Sequence, residues 1–428
     1  MLNYTGNFNT EIKNTLGRRV DIEIKFIKND IEYTLTSEDL QEFSYQAQTE
    51  KELGGVIKKV ANIRFMANEN TALLQKGDGI TIYFVTSPAS KCKFDKLYIK
   101  ERKTDTKGLI ISVEAVDLIT YLNDKDLPII PLQKDVFLNQ YMQSLFNAIG
   151  VNHSISGAIT NPKLMFAYLK STKILSTLTE MAIATNSIIR HKVIKDKRFV
   201  TIPVQIPTYF TEVKTTYDDI IDVKPFKASE PVDELTFNDL LKDISITDSD
   251  SNTYDQVLIP IFYPNDRQYN KLGTLTSTIP GGVSNYSIGN ISFKNLSIPQ
   301  CIHFDNEVRI NNFDLAGDKC NIKVNNPNLF AVDCNIELFG SDISTLTVVQ
   351  DSSDERIKII NNQYIQGPAV YDKHIYFSKD ADIKYRGNPL YEIGDTITAD
   401  EETILIIEHS LSYNGALSGT IKGVVVSE

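Results

Sequence analysis

The feature that most constrains the fold is a pair of apolar, β-branched runs at the C-terminal end of the chain. Thr403–Tyr413 is followed by Asn414-Gly415, and Ala416–Val426 then runs back. Asn-Gly between two apolar runs is the strongest local sign of a hairpin with a two-residue turn. Each arm has about eleven residues, long enough to cross a barrel wall. The sequence therefore predicts a long antiparallel hairpin.

Residues 1–125 show the same class of pattern. Val20–Phe26 alternates apolar and charged side chains, and Asn29-Asp30 provides a turn before the chain returns through Ile31–Leu35. A helical spacing of apolar residues follows over Val116–Leu122. We expect a first β-barrel or sandwich that ends in a short helix. Its further strand candidates are Ala61–Phe65, Ile80–Val85, Lys96–Lys100 and Leu109–Ala115.

Residues 126–205 have a different periodicity, which predicts a small α/β domain. Apolar residues at helical spacing over Leu138–Ile149 predict a helix that Gly150 ends. A second helix is predicted from Ile174 to Thr185, with Ser171 or Thr172 as its N-terminal cap. Two strands, Ile188–Val193 and Phe199–Val204, flank Lys195-Asp196-Lys197, and this arrangement predicts a hairpin.

Charge is spread unevenly along the chain. Residues 126–205 contain nine Lys/Arg and four Asp/Glu, a balance of +5, whereas residues 206–250 contain four Lys/Arg and eleven Asp/Glu, a balance of −7. Part of the positive charge is a basic run on the predicted hairpin (Arg190, His191, Lys192, Lys195, Lys197 and Arg198). A solvated hairpin tip explains this run better than a contact with an acidic neighbouring subunit, although both interpretations remain open.

Beyond residue 206 helical periodicity nearly vanishes. Residues 246–382 are rich in Asn, Asp, Ser and Gly, a composition that favours short strands and many turns. The predicted fold is therefore mainly β with a small α/β domain, two β-barrel-like domains and a β-rich insertion. The predicted domains are 1–125 (first barrel), 126–205 (α/β), 206–245 with 383–428 (second barrel) and 246–382 (insertion).

Composition excludes several classes of protein. The net charge of −11 argues against tight binding to nucleic-acid phosphates. No apolar run reaches the ~20 residues of a membrane helix, and the N-terminus does not resemble a secretory leader, so we expect synthesis in a cytoplasm and no membrane anchor. The four cysteines form no Cys-x-x-Cys pair and are expected to be reduced and mostly buried.

No catalytic, cofactor-binding or metal-binding residue is predicted. Phosphate-binding glycine loops and a Gly-x-Ser-x-Gly elbow are missing from the sequence, and its five histidines are scattered. Asp248–Asn252 resembles the start of a calcium loop, but Thr253 and Ile259 stand where that loop needs Gly and Glu. We therefore expect a solvated acidic turn there and a protein that is not an enzyme.

Two segments resemble a known family. Arg386–Ile397 contains Asn388-Pro389 and Gly394-Asp395, and it precedes the hairpin that turns at Asn414-Gly415. This resembles the closing module of bacteriophage baseplate hub and tail-associated proteins, in which an Asn-Pro-x-x-x-x-Gly-Asp turn opens a strand and the last hairpin closes a barrel. Gly108–Asp126 looks like the end of the first barrel in the same family.

The resemblance implies a virion structural protein of the tail tip. Three copies would form a ring in which two barrels per subunit give pseudo-sixfold symmetry around a central passage for DNA, which passes without specific binding. Implied partners are the distal tail or tail tube protein, the tape-measure protein and a tail fibre or receptor-binding protein. Assembly would take place in the host cytoplasm, and no peptidoglycan-cleaving domain is expected.

Two alternatives remain open at this point. The insertion could make the chain a receptor- or glycan-binding tail protein, since such sites usually carry exposed aromatics; the candidates are Tyr263, Tyr269, Tyr286 and Tyr364. The absence of tryptophan weakens that idea. A hydrolase acting on the cell wall is the third hypothesis.

Overall fold

Strands dominate the structure, a computed structural model. The mainly-β prediction is confirmed: the described part of the chain contains only five helices, none longer than 12 residues. None of these helices has the length and apolar character needed to cross a membrane. The residues described are 3–14, 18–49, 54–128, 130, 133–157, 159–167, 169, 173–203, 209–226, 229–236, 238–248, 256–258, 261–288, 298–304, 308–316, 319–346, 357–359, 362, 364, 365 and 379–426.

The N-terminal part forms β-strands wherever apolar residues alternate with polar ones. In the strand Asp21–Lys28, Ile22, Ile24 and Phe26 are buried while the residues between them are not. Asn29 and Asp30 both have positive φ, as a tight two-residue hairpin turn requires. The elements are β1 (Asn3–Tyr4), α1 (Phe8–Ile12), β2 (Asp21–Lys28), β3 (Ile31–Leu35), β4 (Leu40–Gln48), β5 (Gly55–Val56), β6 (Lys58–Met66), α2 (Glu69–Ala72), β7 (Gly79–Ser87), β8 (Ser90–Thr104), β9 (Ile110–Val116) and α3 (Leu118–Leu122).

The α/β part contains both predicted helices. Gly150 follows the first with a φ of +71°, and Asn186 ends the second in the left-handed region. Lys173 directly precedes the second helix, and the predicted caps Ser171 and Thr172 lie outside the described residues. The elements are β10 (Gln133–Phe137), α4 (Leu138–Ala148), β11 (Asn152–Ile155), β12 (Lys163–Ala167), α5 (Ile174–Thr185), β13 (Ser187–Pro203) and β14 (Tyr209–Pro225).

The predicted hairpin around Lys195-Asp196-Lys197 is wrong. These residues lie inside the 17-residue strand β13, which pairs along its whole length with β14. Lys195 is opposite Tyr217 and Lys197 opposite Thr215. The reason is that β14 supplies a second long run rich in Thr, Val and Ile, so that the antiparallel ladder continues through these residues without a turn.

The insertion contains two three-stranded sheets, β18-β23-β20 and β19-β22-β21, over a shared core. Its strands are not all short as predicted, because β18 has 19 residues and β23 has 15, paired through bulges. The calcium-like turn 249–252 lies outside the described residues. Two strands that precede it, β15 (Asp233–Leu235) and β16 (Ser245–Asp248), belong to the large sheet. The elements of the insertion are β17 (Gln256–Leu258), β18 (Ile261–Ile279), β19 (Gly282–Ile288), β20 (Ile298–Phe304), β21 (Arg309–Ala316), β22 (Lys319–Asn326), β23 (Val332–Leu346) and β24 (Ile357–Ile359).

The C-terminal hairpin is present, with a longer turn than predicted. Tyr413 pairs with Leu417, so three residues form the loop, and of these only Gly415 has a positive φ. A two-residue turn of the expected type would need two such residues. The last strands are β25 (Lys379–Tyr385), β26 (Thr396–Ala399), β27 (Glu402–Tyr413) and β28 (Leu417–Val425).

The two ends of the chain meet in one sheet. Strand β27 pairs with β4, with Tyr413 opposite Phe43 and Glu408 opposite Gln48. We call this pairing the seam. The sheet runs in the order β16-β25-β28-β27-β4-β6-β9-β8-β7-β2-β3, and one hydrophobic core lies beneath both halves. The strands of both predicted barrel-like domains thus share one sheet, and the described strands do not close into a barrel.

Three cysteines match the prediction of reduced, buried thiols. Cys92, Cys320 and Cys334 are buried thiols. The side chain of Cys301 is outside the described part of the chain.

Candidate functional site

The Asn-Pro motif forms a buried turn between β25 and β26. Asn388 is buried, and its side-chain oxygen accepts a hydrogen bond from the backbone N–H of Leu390 at 3.0 Å. Its own backbone N–H donates to the hydroxyl of Tyr385 at 3.0 Å, and that hydroxyl lies 2.7 Å from Nε2 of His409. Pro389 follows directly, where its fixed φ suits the turn. The motif thereby ties the turn to strand β27.

The Gly-Asp half of the motif contacts the α/β part. Gly394 has a φ of +81°, and a Cβ atom there would lie 2.5 Å from Cδ1 of Ile188 in β13. Only glycine allows this approach. The carboxylate of Asp395 accepts a hydrogen bond from the backbone N–H of Glu392 at 2.8 Å. This corner therefore holds Glu392 against β13. Asn414 and Gly415 lie in the loop between β27 and β28.

Arg190 and Glu392 form the centre of a buried charged cluster. Nε of Arg190 donates to Oδ2 of Asp222 at 3.0 Å, and its Nη1 lies 3.2 Å from Oε2 of Glu392. Burial alone would raise the pKa of Glu392, but Arg190 and Lys192 lower it to about 2. The pair joins the strands β25–β28 and the turns between them, which we call the C-terminal module, to the sheet of β13 and β14.

A second cluster joins the N-terminal half of the large sheet to the same α/β strands. Asp219 of β14 accepts hydrogen bonds from Lys96 and from the hydroxyl of Tyr98, the latter at 2.8 Å. Nε2 of His191 lies 3.1 Å from the other oxygen of Asp219. Burial alone would raise the pKa of Asp219. Hydrogen bonds from His191 and Lys96 nevertheless hold that pKa well below its usual range.

Lys59 completes this connection. Its Nζ lies 2.8 Å from Asp95 and donates to the carbonyl oxygen of His191 at 2.9 Å. The hydroxyl of Tyr45 donates to Asp95 at 3.1 Å. We call the Arg190 and Asp219 clusters together the charged junction, because they connect the N-terminal half of the large sheet, the α/β sheet and the C-terminal module.

The buried part of the charged junction is too small for a substrate. The cavity lined by Arg190 and Glu392 is about 30 Å³, the size of one water molecule, whereas ligand pockets measure roughly 300–1,000 Å³. Lys96 and Tyr98 also line an open surface hollow of about 460 Å³. In the part of the chain that the structure describes, no group of three or more His, Cys, Asp or Glu side chains could hold a metal ion. The arrangement is that of a structural connection.

The basic run was interpreted incorrectly from the sequence. Arg190 and His191 are buried rather than exposed on a hairpin tip. Their partners, Asp219, Asp222 and Glu392, are 28–202 positions away, so no local signal could reveal them. The side chains of residues 195, 197 and 198 lie outside the described part. The paired charges could be suspected only from the opposite charge balances of residues 126–205 and 206–250.

The aromatic residues proposed for a glycan site are not an exposed set. Tyr364 is only 1% exposed and packs near Tyr141 in the α/β core, with ring centroids 6.1 Å apart. It is therefore wrong as a candidate for surface binding. Tyr286 is partly buried against the insertion core, and the side chains of Tyr263 and Tyr269 lie outside the described residues.

The seam has a solvent-facing side made of small polar residues. Register places Ser412 between Ser418 and Ser44, and Ser44 opposite Asn62. A second row runs through Thr420, Ser410 and Gln46. We call these seven residues, which line a shallow hollow of about 250 Å³, the seam face. None carries a charge.

The charged residues beside the seam face balance in sign. Lys384 is opposite Thr420 and Glu114 is opposite Asn62. Glu408 lies 3.1 Å from Lys422 and also accepts a hydrogen bond from Gln46 at 3.1 Å. On the other side Arg64 lies 3.5 Å from Glu42. The surface over the seam is therefore hydrophilic and close to electrically neutral, unlike the chain as a whole.

Buried His409 should make stability depend on pH. Burial lowers the pKa of His409 from 6.5 to about 4. Because the unfolded chain takes up this proton at a higher pH than the folded chain, stability falls as pH drops from about 6.5 to about 4. The His409 contribution is about 3 kcal/mol across that window. Chemical denaturation at a series of pH values should show a shallower slope for His409→Gln than for the parent chain, and equal slopes would contradict the assignment.

Comparison with known proteins gives a match in fold. No protein-family model and no curated protein matches the chain. The 43 kDa tail protein of prophage MuSo2 from Shewanella oneidensis aligns with a TM-score of 0.50 and 11% identity, over 95% of this chain and 98% of that one. The tail protein of Neisseria meningitidis MC58 gives 0.47 and 9%, over 95% and 96% of the two chains. Prophage tail protein gp18 of Listeria monocytogenes EGD-e gives 0.45 and 10%, over 94% of each. The resemblance inferred from the two motif segments is thus confirmed at the level of architecture: this chain has the fold of a prophage tail protein.

Proposed function

We propose that the chain is a non-enzymatic structural protein of a phage tail, or of a phage-tail-like particle, and that three copies form a hub ring at the tail tip. The observation that carries this proposal is the seam: both ends of the chain build one wide sheet with a neutral, hydrophilic face. A wall of this kind suits a passage that a polyanion crosses without binding. The fold likeness to the MuSo2 tail protein agrees with the proposal.

The remaining assignments extend the same proposal. The chain would divide at the boundaries expected from sequence, with 1–125 and the pair 206–245 and 383–428 as the two halves of the sheet. Asn388, Pro389, Gly394, Asp395, Asn414 and Gly415 would be structural residues of the closing module. The ring would join the distal tail or tube protein to the tip and contact the tape-measure protein and a fibre or receptor-binding protein.

The two outer edges of the sheet offer surfaces for ring closure. Ile27 is 64% and Ile31 56% exposed, and both flank the β2–β3 turn at one edge. At the other edge Leu241 is 57% exposed, and its backbone N–H donates to the carbonyl oxygen of Lys384 in β25. Free sheet edges with exposed aliphatic side chains favour association. A head-to-tail contact between unlike edges generates a closed ring when the rotation permits.

Solution mass tests the ring. Light scattering of the purified chain over a range of concentrations should give three times 48.2 kDa. A mass of 48.2 kDa, or of twice that value, at every concentration would contradict the trimer.

The neutral seam face also predicts how DNA behaves. Replacing Ser44 and Ser410 with lysine adds two positive charges per subunit, which should produce duplex-DNA binding that weakens steeply with salt. The parent chain and a Ser44→Asn/Ser410→Asn control should bind at least tenfold more weakly at the same low salt. Fluorescence anisotropy of labelled duplex measures this, and equal affinity of all three proteins would contradict a DNA-facing seam.

A further inference from the structure

The outer end of the insertion presents two adjacent apolar side chains to solvent. Leu329 is 103% and Phe330 69% exposed, in the turn between β22 and β23. Val283, near the start of the neighbouring strand β19 and opposite Asn325, is 57% exposed. Scattered single apolar residues are normal on a surface, but a cluster at a protruding turn marks an interaction site. We call residues 278–285 and 325–332 together the insertion tip.

The insertion tip is held in shape by one buried side chain. Asn326 is 1% exposed, and its Nδ2 donates to the carbonyl oxygens of Ile279 at 2.9 Å and Phe330 at 3.0 Å. Its Oδ1 accepts from the backbone N–H of Asn328 at 3.0 Å. These bonds satisfy backbone groups that would otherwise need water, so the tip can enter an apolar medium at low cost.

Close packing of the two turns adds rigidity. A Cβ atom at Gly281 would lie 2.6 Å from the carbonyl oxygen of Asn328, so only glycine fits there. Beneath the turns, Ile279, Val324 and Ile336 are fully buried in the insertion core. The exposed Leu329 and Phe330 thus project from a preorganised base.

Composition indicates which partner suits this surface. The sixteen residues of the insertion tip include no Lys, Arg, Asp or Glu, in a chain that is 23% charged. Entry into lipid therefore desolvates no charge. A protein partner fits less well, because a stable interface covers about 800 Å² per side, whereas large side chains bury roughly 150–250 Å² each. Trp, Tyr and Arg, the usual anchors of protein interfaces, are also missing from the tip.

We propose that the insertion tip is a membrane-contacting loop, in which Leu329 and Phe330 enter the outer part of a lipid bilayer. Asparagine and backbone groups would stay at the level of the polar headgroups. Because the tip has no basic residue, binding should depend on apolar insertion and not on anionic lipid. The proposal does not require the ring.

The chain contains no tryptophan, so one can be introduced as a unique probe. The full-length Phe330→Trp variant is mixed with phosphatidylcholine vesicles, with and without phosphatidylglycerol. We expect a blue-shifted emission with both vesicle types and strong quenching when the acyl chains are brominated. Leu109→Trp, at an exposed site in the turn between β8 and β9, is the control and should show neither effect. An unshifted, unquenched Phe330→Trp spectrum would overturn the proposal.

Co-sedimentation of the unlabelled chain gives a second test. The parent chain should bind both vesicle types about equally, and Leu329→Asp/Phe330→Asp should reduce the bound fraction at least tenfold with an unchanged melting temperature, because both side chains are exposed. Leu109→Asp, at the exposed β8–β9 turn, should bind like the parent. Absence of parent binding, binding only to anionic vesicles, or undiminished binding of the double variant would each overturn the proposal.

Discussion

Replacing Arg190 with methionine is expected to lower the free energy of unfolding by about 3–5 kcal/mol, the usual result of removing one partner from a buried ion pair. Asp222 and Glu392 would then keep their charges in a site where each is only 19% exposed, with their main counter-ion gone. Methionine fills much of the same volume, so the loss would reflect charge and not a cavity. Denaturant unfolding followed by circular dichroism measures it.

An exposed pair provides the matched control. Lys103 and Glu101 are 71% and 50% exposed and lie 2.9 Å apart, so Lys103→Met should cost less than about 1 kcal/mol. Adding Glu392→Gln to Arg190→Met should recover part of the stability, because it removes one stranded charge. A loss below 1 kcal/mol for Arg190→Met would show that the charged junction does not hold the modules together.

Placing aspartate at both Ile27 and Ile31 should convert the proposed trimer into a monomer. A ring contact would bury these positions, and burying an unpaired charge costs several kcal/mol, enough to abolish association. Light scattering should then give 48.2 kDa at concentrations where the parent chain is three times heavier. Leu109→Asp, at an exposed aliphatic residue in another turn, should leave the trimer intact.

The other edge allows a stricter test of head-to-tail assembly. Leu241→Asp alone should also give monomers. Mixing this variant with Ile27→Asp/Ile31→Asp should restore one good contact per pair and produce a species of twice 48.2 kDa, without a closed ring. Monomers in the mixture would exclude a contact between unlike edges.

Local patterns allowed most of the strands and helices to be predicted. Alternating apolar and polar residues predicted the strand Asp21–Lys28, and apolar residues at helical spacing predicted the helix Leu138–Ala148. Both predictions succeeded because each signal lies within a single segment of the chain. The β13–β14 ladder was not predicted. Lys195-Asp196-Lys197 has the composition of a turn, but pairing with β14 along the whole strand outweighs that local preference. The turn at Gly415 was placed correctly but is one residue longer than expected.

The seam and the charged junction could not be derived from sequence. Pairing of Phe43 with Tyr413 joins residues 370 positions apart, and nothing local specifies that register. The family resemblance predicted two barrel-like units at the ends of the chain, but not their continuity as one sheet. Arg190 was predicted to be exposed because other basic residues surround it in the sequence. In the fold it is buried and forms ion pairs with Asp222 and Glu392.

The central claim is that the seam face lines the passage of a threefold ring. Cryo-electron microscopy of the assembled chain measures this most directly. The account predicts threefold symmetry, an open axial hole, and Ser44, Ser410 and Ser412 facing that hole. A map without an axial hole, or one in which these serines are buried against another subunit or turned outward, would contradict it.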